Sequence, residues 1–193
     1  MTRIVDLLPT ARLVLLPVAL GMLLLAPTLS AQRPAAWPRN GSTVEYDLAS
    51  SFTAPDGSYH QETASRLRLV FDGTAWSGTC TGTARETVDG TTTRSSWSAS
   101  SGGEPARAPR DARRGSTVTV PLFEGVDIAE GCRQRAETVH VVGHKRQVTT
   151  GVEPAGTSPY QDVSIAWDRG TGLVLDWSKA FRDGSSSGRL VES

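Results

Sequence analysis

The sequence predicts a mainly β protein, an antiparallel meander that forms a curved sheet, a half-barrel or a barrel. Three observations support this. The chain beyond residue 31 is rich in Thr, Ser, Val and Gly, which favour strands and turns. Asp72-Gly73 and Asp89-Gly90 separate segments of alternating polarity, as in β-hairpins. No stretch beyond residue 31 keeps a helical apolar period over about eleven residues.

Each predicted strand follows from local alternation between turn residues. Val44, Tyr46 and Leu48 alternate with polar positions and predict the first strand. Further strands are predicted over 59–71, 76–83, 85–88, 91–97 and 118–122, at 139–142 and 146–150 around a turn at Gly143, and at 163–167 and 173–177. A short helical turn is predicted around Cys132, and Gly184 to Gly188 is predicted to be a flexible loop.

Residues 1–31 have the order of a secretory signal peptide. Arg3 and Arg12 stand ahead of an apolar run, Leu13 to Leu25, and small residues follow as far as Ala31. We expect a signal helix that is cleaved after Ala31, and therefore a secreted, cell-surface or periplasmic protein. If the segment were not cleaved, it would anchor the protein to the membrane.

The rest of the chain is predicted to be a flexible entry segment, 32–41, and a single β domain, 42–193. Ser98 to Gly115 interrupts the strand pattern with Ser, Gly, Pro and Arg, so we expect a mobile loop that buries almost nothing. This loop carries a basic cluster, which either docks an acidic partner or is simply solvated; its members are Arg107, Arg110, Arg113 and Arg114.

Charge and motifs exclude several function classes. Removal of Arg3, Arg12 and Asp6 leaves a net charge of about −1, which provides no long-range attraction for nucleic acid. No phosphate-binding glycine loop or Gly-x-Ser-x-Gly elbow is present, so neither a cofactor nor a catalytic residue is assigned. A carboxylate pair assembled only by the fold, from residues such as Asp168 and Asp176, stays open.

Cys80 and Cys132 are the two cysteines, and in an exported protein we expect them to form a disulfide. A thiol nucleophile or a metal pair is the alternative, but pairing removes the thiolate that either requires. No metal site is assigned to His60, His140 and His144, because His140 and His144 have strand-like rather than helical surroundings. Asn40-Gly41-Ser42 is either an N-glycosylation sequon or a turn.

The tryptophans of the predicted hairpins form one candidate binding face. Ile165 and Trp167 share a face of one strand, and Leu173, Leu175 and Trp177 share a face of the next. Trp76 begins another strand of this type. We therefore expect Trp76, Trp167 and Trp177 to line an apolar face that either binds a ligand or is filled by core.

Two segments resemble a known group of domains. Trp167 to Leu175 has a W-D-x-x-T-G-L-x-L pattern that is similar to hairpins of secreted prokaryotic domains related to the periplasmic lipoprotein-carrier half-barrel. Phe71 to Trp76 resembles a second hairpin of that group. The resemblance implies a curved antiparallel sheet around an apolar hollow, which holds lipid chains in the carriers.

The sequence therefore suggests a non-catalytic secreted or cell-surface domain that binds an apolar small molecule or a protein partner. The alternatives are a structural or adhesion module and a hydrolase whose carboxylate site is not visible in sequence. A deep hollow would favour binding of an apolar ligand, whereas a filled core with one Thr/Ser face would favour adhesion.

Overall fold

A computed structural model describes residues 37–123, 127–145, 148–152 and 160–193, with the backbone alone at 148–150, 152, 160 and 161. The signal-peptide prediction lies outside these residues. The strands are β1 (Thr43–Thr53), β2 (Tyr59–Phe71), β3 (Trp76–Val88), β4 (Thr91–Gly102), β5 (Thr117–Val120), β6 (Glu137–Lys145), β7 (Val148–Val152), β8 (Tyr160–Asp168), β9 (Val174–Phe181) and β10 (Gly184–Glu192). A 3-10 turn spans Glu130–Cys132, as predicted around Cys132.

All ten strands form one antiparallel sheet in the order β4-β3-β2-β1-β10-β9-β8-β7-β6-β5. The chain enters in the middle, at β1, and runs outward through three hairpins to the edge strand β4. It then crosses to the opposite edge and returns strand by strand until β10 pairs with β1. Within the described residues no ladder joins β4 to β5, so the sheet is open. The predicted antiparallel β fold is confirmed, in its open form.

The Asp-Gly turns behave as predicted. Asp89 and Gly90 both have positive φ, 48° and 80°, which is what a two-residue hairpin turn requires. At Asp72 the carboxylate accepts bonds from the backbone N–H of Ala75 and from both the hydroxyl and the backbone N–H of Thr74. The side chain thus closes the β2–β3 turn, and these bonds lower the pKa of Asp72 to about 2.

The prediction of a flexible loop at Gly184 to Gly188 is wrong. These residues begin β10, which lies at the centre of the sheet and pairs with β1 on one side and β9 on the other. Their small side chains suit this place because the Trp177 ring lies over Gly188, leaving no room for a Cβ.

The expected loop at 98–115 also needs correction. Residues 98–102 complete β4. The segment that follows contributes to the core, with Ala106 and Ala108 buried. Its backbone is bonded to the β8–β9 hairpin, since Ala108 N donates to Gly172 O at 2.8 Å. Two small apolar residues therefore dock a stretch whose composition predicted no buried surface.

Smaller differences concern register. Gly143 lies inside β6, at the point where the pairing with β7 shifts, so the predicted turn at Gly143 is wrong; residues 146–147 lie outside the described part of the chain. Another shift, between Ala166 and Trp167, turns Val174 into the core and leaves Leu175 half-buried, contrary to the predicted phase.

Trp37, in the predicted entry segment, packs on Trp76 with ring centroids 5.4 Å apart.

One ion pair demonstrates the curvature of the sheet. Lys179 of β9 and Glu137 of β6 are three strands apart in sheet order, yet Nζ and Oε1 are 2.8 Å apart. Strands in a flat sheet at that separation are about 14 Å apart, since neighbours are spaced by about 4.8 Å. The sheet therefore curls, and the core occupies its concave side.

In the described residues no helix is long and apolar enough to cross a membrane.

Candidate functional site

The concave face is divided into two halves, and one of them is filled. β1 places Val44, Tyr46 and Leu48 on this face, and β2 adds Leu67 and Leu69; all five are buried. The connection from β5 to β6 lies across them and contributes Phe123, Ile128 and Cys132, which are also buried. We call this the apolar half.

The disulfide holds that connection in place. Cys80 on β3 is bonded to Cys132 in the 3-10 turn, and both residues are fully buried. The predicted pair is confirmed. The loop it closes, with a sequence separation of 52, corresponds to about 4 kcal/mol in the chain-entropy model, before any strain.

All three tryptophans expected to line a ligand site lie in the apolar half. Trp76, Trp167 and Trp177 are respectively 4%, 0% and 2% exposed. Trp177 packs on Phe123 and Tyr46, with ring centroids 5.7 and 6.0 Å apart. The Tyr46 hydroxyl donates to the Val174 carbonyl at 2.9 Å, and burial raises the pKa of this phenol. The structure thus places the three indoles in packed core rather than on an accessible wall.

The second half of the concave face is polar. On β1 the inward positions change from Leu48 to Ser50, and on β2 they change from Leu67 to Ser65 and Thr63. Cross-strand partners continue the change in two rows, Ser186–Ser50–Thr63–Ala84–Ser95 and Gly184–Phe52–Gln61–Glu86–Thr93. We call this the polar half; the sequence reasoning followed only the apolar phase of each strand and missed it.

A cavity of about 310 Å³ lies where the polar half meets the 3-10 turn. The sheet contributes Ser50 and Thr63, whose hydroxyls are hydrogen-bonded to each other at 2.5 Å. The turn and the residues after it contribute Glu130, Arg133 and Gln134. Ser65 fixes the turn over the sheet, because its hydroxyl donates to the Gly131 carbonyl at 3.0 Å.

Trp97 of β4 forms one wall of this cavity. Its ring lies against two glycines: a Cβ at Gly82 would be 2.3 Å from Cζ2, and a Cβ at Gly131 would be 2.4 Å from Nε1. Gly82 is also the cross-strand partner of Trp97. The absence of a side chain at Gly82 thus lets the indole approach the β3 backbone closely.

β4 itself presents a second candidate surface, its free edge. The Gly102 N–H points away from β3, because it donates to the Asp127 carbonyl at 2.7 Å. The register with β3 is continuous, so the alternate residues Thr92, Arg94, Ser96, Ser98 and Ser100 also direct their N–H and C=O groups outward. Between Thr92 and Ser100 no described residue bonds to this edge.

The convex side next to this edge is rich in hydroxyls and in positive charge. Outward positions of β3 include Thr79, Thr81 and Thr83, all exposed. Arg94 lies directly opposite Arg85, which is 3.9 Å from Glu62 on β2. Within the described residues Arg94 has no carboxylate partner. A shallow depression of about 560 Å³ adjoins it, over Ala64, Thr83 and Ser96.

Other candidate residues are dispersed. Arg107 folds inward, 4.7 Å over the Trp37 ring, and donates to the Thr171 carbonyl, whereas Arg110, Arg113 and Arg114 are exposed. Asp168 accepts bonds from the N–H and hydroxyl of Thr171, which makes it a turn residue. Asp176 is exposed on β9.

The histidines are not clustered either. His60 is hydrogen-bonded to Thr53, and His140 and His144 both lie on β6. Within the described ranges, no three His, Cys, Asp or Glu side chains are grouped in a way that could hold a metal ion.

No protein-family model matches the chain, and none of the curated proteins does.

Proposed function

We propose that this chain is an exported, non-catalytic binding domain that recognises a protein partner through the β4 edge. The observation that carries the proposal is the row of outward N–H and C=O groups from Thr92 to Ser100. Proteins usually protect a long edge strand with charges, proline, a bulge or a covering segment, because a bare edge pairs with other chains. Here the edge is regular, and its outward residues carry a single charge, on Arg94.

The partner in this proposal is an extended segment that adds a strand to the sheet. Main-chain hydrogen bonds supply affinity in this mode, and alternate side chains supply specificity. The fold already contains the first such bond, from Gly102 to Asp127, at one end of the edge. An added strand would continue it along β4.

Charge indicates which segment fits. Arg94 and Arg85 leave an excess of positive charge on the convex side of the edge, so a carboxylate on the incoming strand is favoured opposite Arg94. A second copy of β4 would not supply one, since Thr91–Gly102 contains no Asp or Glu. The partner is therefore an extended, acidic segment of another protein.

Export is supported by the disulfide, which persists in oxidising compartments, and by the order of residues 1–31. N-terminal sequencing of the exported protein should begin at or near Gln32. A full-length form embedded in the membrane would replace export with anchoring.

Ser96→Pro tests the binding mode, because proline removes one outward N–H and leaves the β3 ladder intact. We expect displayed random peptides selected on the native domain to be acidic, and to lose binding to Ser96→Pro but not to Ser96→Ala. If no selected peptide depends on the Ser96 N–H, strand addition is wrong. If the native domain is a dimer that Ser96→Pro dissociates, the occupant is a second copy instead.

A structural or adhesion role is the second candidate, favoured by the filled apolar half and by the exposed Thr79, Thr81 and Thr83. It depends on side chains rather than on the backbone edge. Binding that is lost in a Thr79→Ala and Thr81→Ala double variant, and kept in Ser96→Pro, would select it.

A further inference from the structure

We propose that the cavity between the polar half and the 3-10 turn binds a small, neutral, polyhydroxylated molecule, a monosaccharide or disaccharide. This site uses the inward side chain of Trp97 rather than the outward backbone groups of β4, so it does not depend on the proposed edge recognition. Its volume, about 310 Å³, is at the lower limit for ligand pockets, which selects a small molecule.

The lining indicates the ligand's chemistry, because it offers donors and acceptors together. Gln134 accepts from the Ser186 hydroxyl through Oε1, which leaves its amide N–H groups for a ligand. Gln61 donates to Glu86, which leaves its carbonyl oxygen as an acceptor. A hydroxyl group both donates and accepts, so a ligand with several hydroxyls satisfies this mixture.

Charge excludes the main alternatives. Glu130 and Arg133 lie on the same wall and carry opposite charges, so the cavity has no net preference for an anion or a cation. The walls are mostly hydroxyl, amide and charged groups, which an alkyl chain would desolvate without replacing their hydrogen bonds. A lipid tail and a phosphate are therefore both disfavoured.

Trp97 is the aromatic residue among the described residues that line the cavity. Its position is fixed by the lack of a Cβ at Gly82 and at Gly131, and the disulfide at Cys132 holds the turn beside it. A rigid indole with an apolar face suits the C–H surface of a sugar ring, while the surrounding polar groups reach its hydroxyls. The cavity is thus preformed, which lowers the entropic cost of binding.

The test is an NMR titration of the disulfide-bonded domain with glucose, N-acetylglucosamine, maltose and trehalose, each to about 30 mM, enough to detect a millimolar Kd. At least one sugar should shift the amide signals of Thr63, Gly131 and Gln134 and the Trp97 indole signal. Inorganic phosphate and sodium hexanoate should not.

Variants separate this site from unspecific binding. Glu130→Gln should weaken the binding of the responding sugar about tenfold, since a hydrogen bond to a charged carboxylate is replaced by a weaker bond to a neutral amide. Glu62→Gln, on the convex side, should leave its affinity unchanged. The proposal is overturned if no sugar shifts these signals, if the shifts spread over the convex side, or if Glu62→Gln and Glu130→Gln have equal effects.

Discussion

The indole of Trp177 lies directly over Gly188, its cross-strand partner on β10. A Cβ at Gly188 would be 2.0 Å from Cη2 of the ring, closer than any neighbour tolerates. The glycine therefore makes room for the largest side chain in the middle of the sheet. This explains why a segment rich in Ser and Gly forms a central strand.

Gly188→Ala should lower the free energy of unfolding by about 1–3 kcal/mol, because the methyl group must displace a ring that is packed on all sides. Urea denaturation measures this loss. Ser187→Ala, one residue away on the exposed face, is the control and should be close to neutral. Equal stability of Gly188→Ala and the native domain would show that the ring can move aside.

The local pattern predicted most strands because their inward residues alternate and their turns contain Asp-Gly. It failed for β10 because the apolar side chain that covers the concave face of this strand at Gly188 belongs to Trp177, which is on β9. A one-strand pattern does not contain that information. The same limit applies to Ala106 and Ala108, whose burial depends on the docking of their segment against Gly172 and Val174.

The candidate sites were less predictable than the fold. Aromatic residues in phase with core residues were expected to line an apolar face that was either a ligand site or filled core, and Phe123 of the β5–β6 connection fills it by packing on Tyr46 and Trp177. The polar cavity needs residues from β1, β2, β4 and the 3-10 turn, which are brought together only by curvature and by the Cys80–Cys132 bond. By contrast, that bond followed from compartment and count alone.

The buried pair Lys179–Glu137 should be strongly coupled. Both side chains are largely withdrawn from water, and Nζ is also 3.4 Å from the Arg135 carbonyl. Lys179→Met should therefore cost about 3–5 kcal/mol, since it leaves a buried carboxylate without its partner. The double variant with Glu137→Leu should recover most of the loss in a denaturation cycle.

Lys145→Met is the matched control for that cycle, because Lys145 is the other lysine of the chain and is exposed on β6. It should change stability by less than about 0.5 kcal/mol. If Lys179→Met is equally mild, Glu137 finds water or another partner, and the pair does not hold β9 and β6 together.

Asp72 should make the stability of the β2–β3 turn depend on acid pH. Its folded pKa, about 2, lies below the ordinary value of about 3.9, because the Ala75 N–H, the Thr74 hydroxyl and the Thr74 N–H bond the ionised form. Its contribution is therefore complete above about pH 4 and lost as the pH falls toward 2. Carboxyl NMR titration should give the low pKa, and Asp72→Asn should flatten stability in this window relative to Asp176→Asn.

Limited trypsin digestion should distinguish the docked and exposed parts of the 103–116 segment. Arg107 is bonded to Pro121 and Thr171 and packs on Trp37, whereas Arg113 and Arg114 are exposed. Cleavage requires the backbone to leave such contacts, so native protein should be cut after Arg113 or Arg114 before Arg107. Early cleavage after Arg107 would show that the Ala106–Ala108 contacts open readily.

The final prediction concerns the three buried tryptophans and the apolar-ligand alternative. A Trp37→Phe and Trp97→Phe double variant removes the two partly buried indoles and keeps Trp76, Trp167 and Trp177. Because these three lie in a filled core, their emission should resist acrylamide, and added oleate or phospholipid should not change it. Trp177→Phe in the same background should lower stability without creating any lipid response. A saturable change with oleate in the double variant would mean that the apolar half opens to admit a chain, and lipid binding would then replace edge recognition as the favoured function.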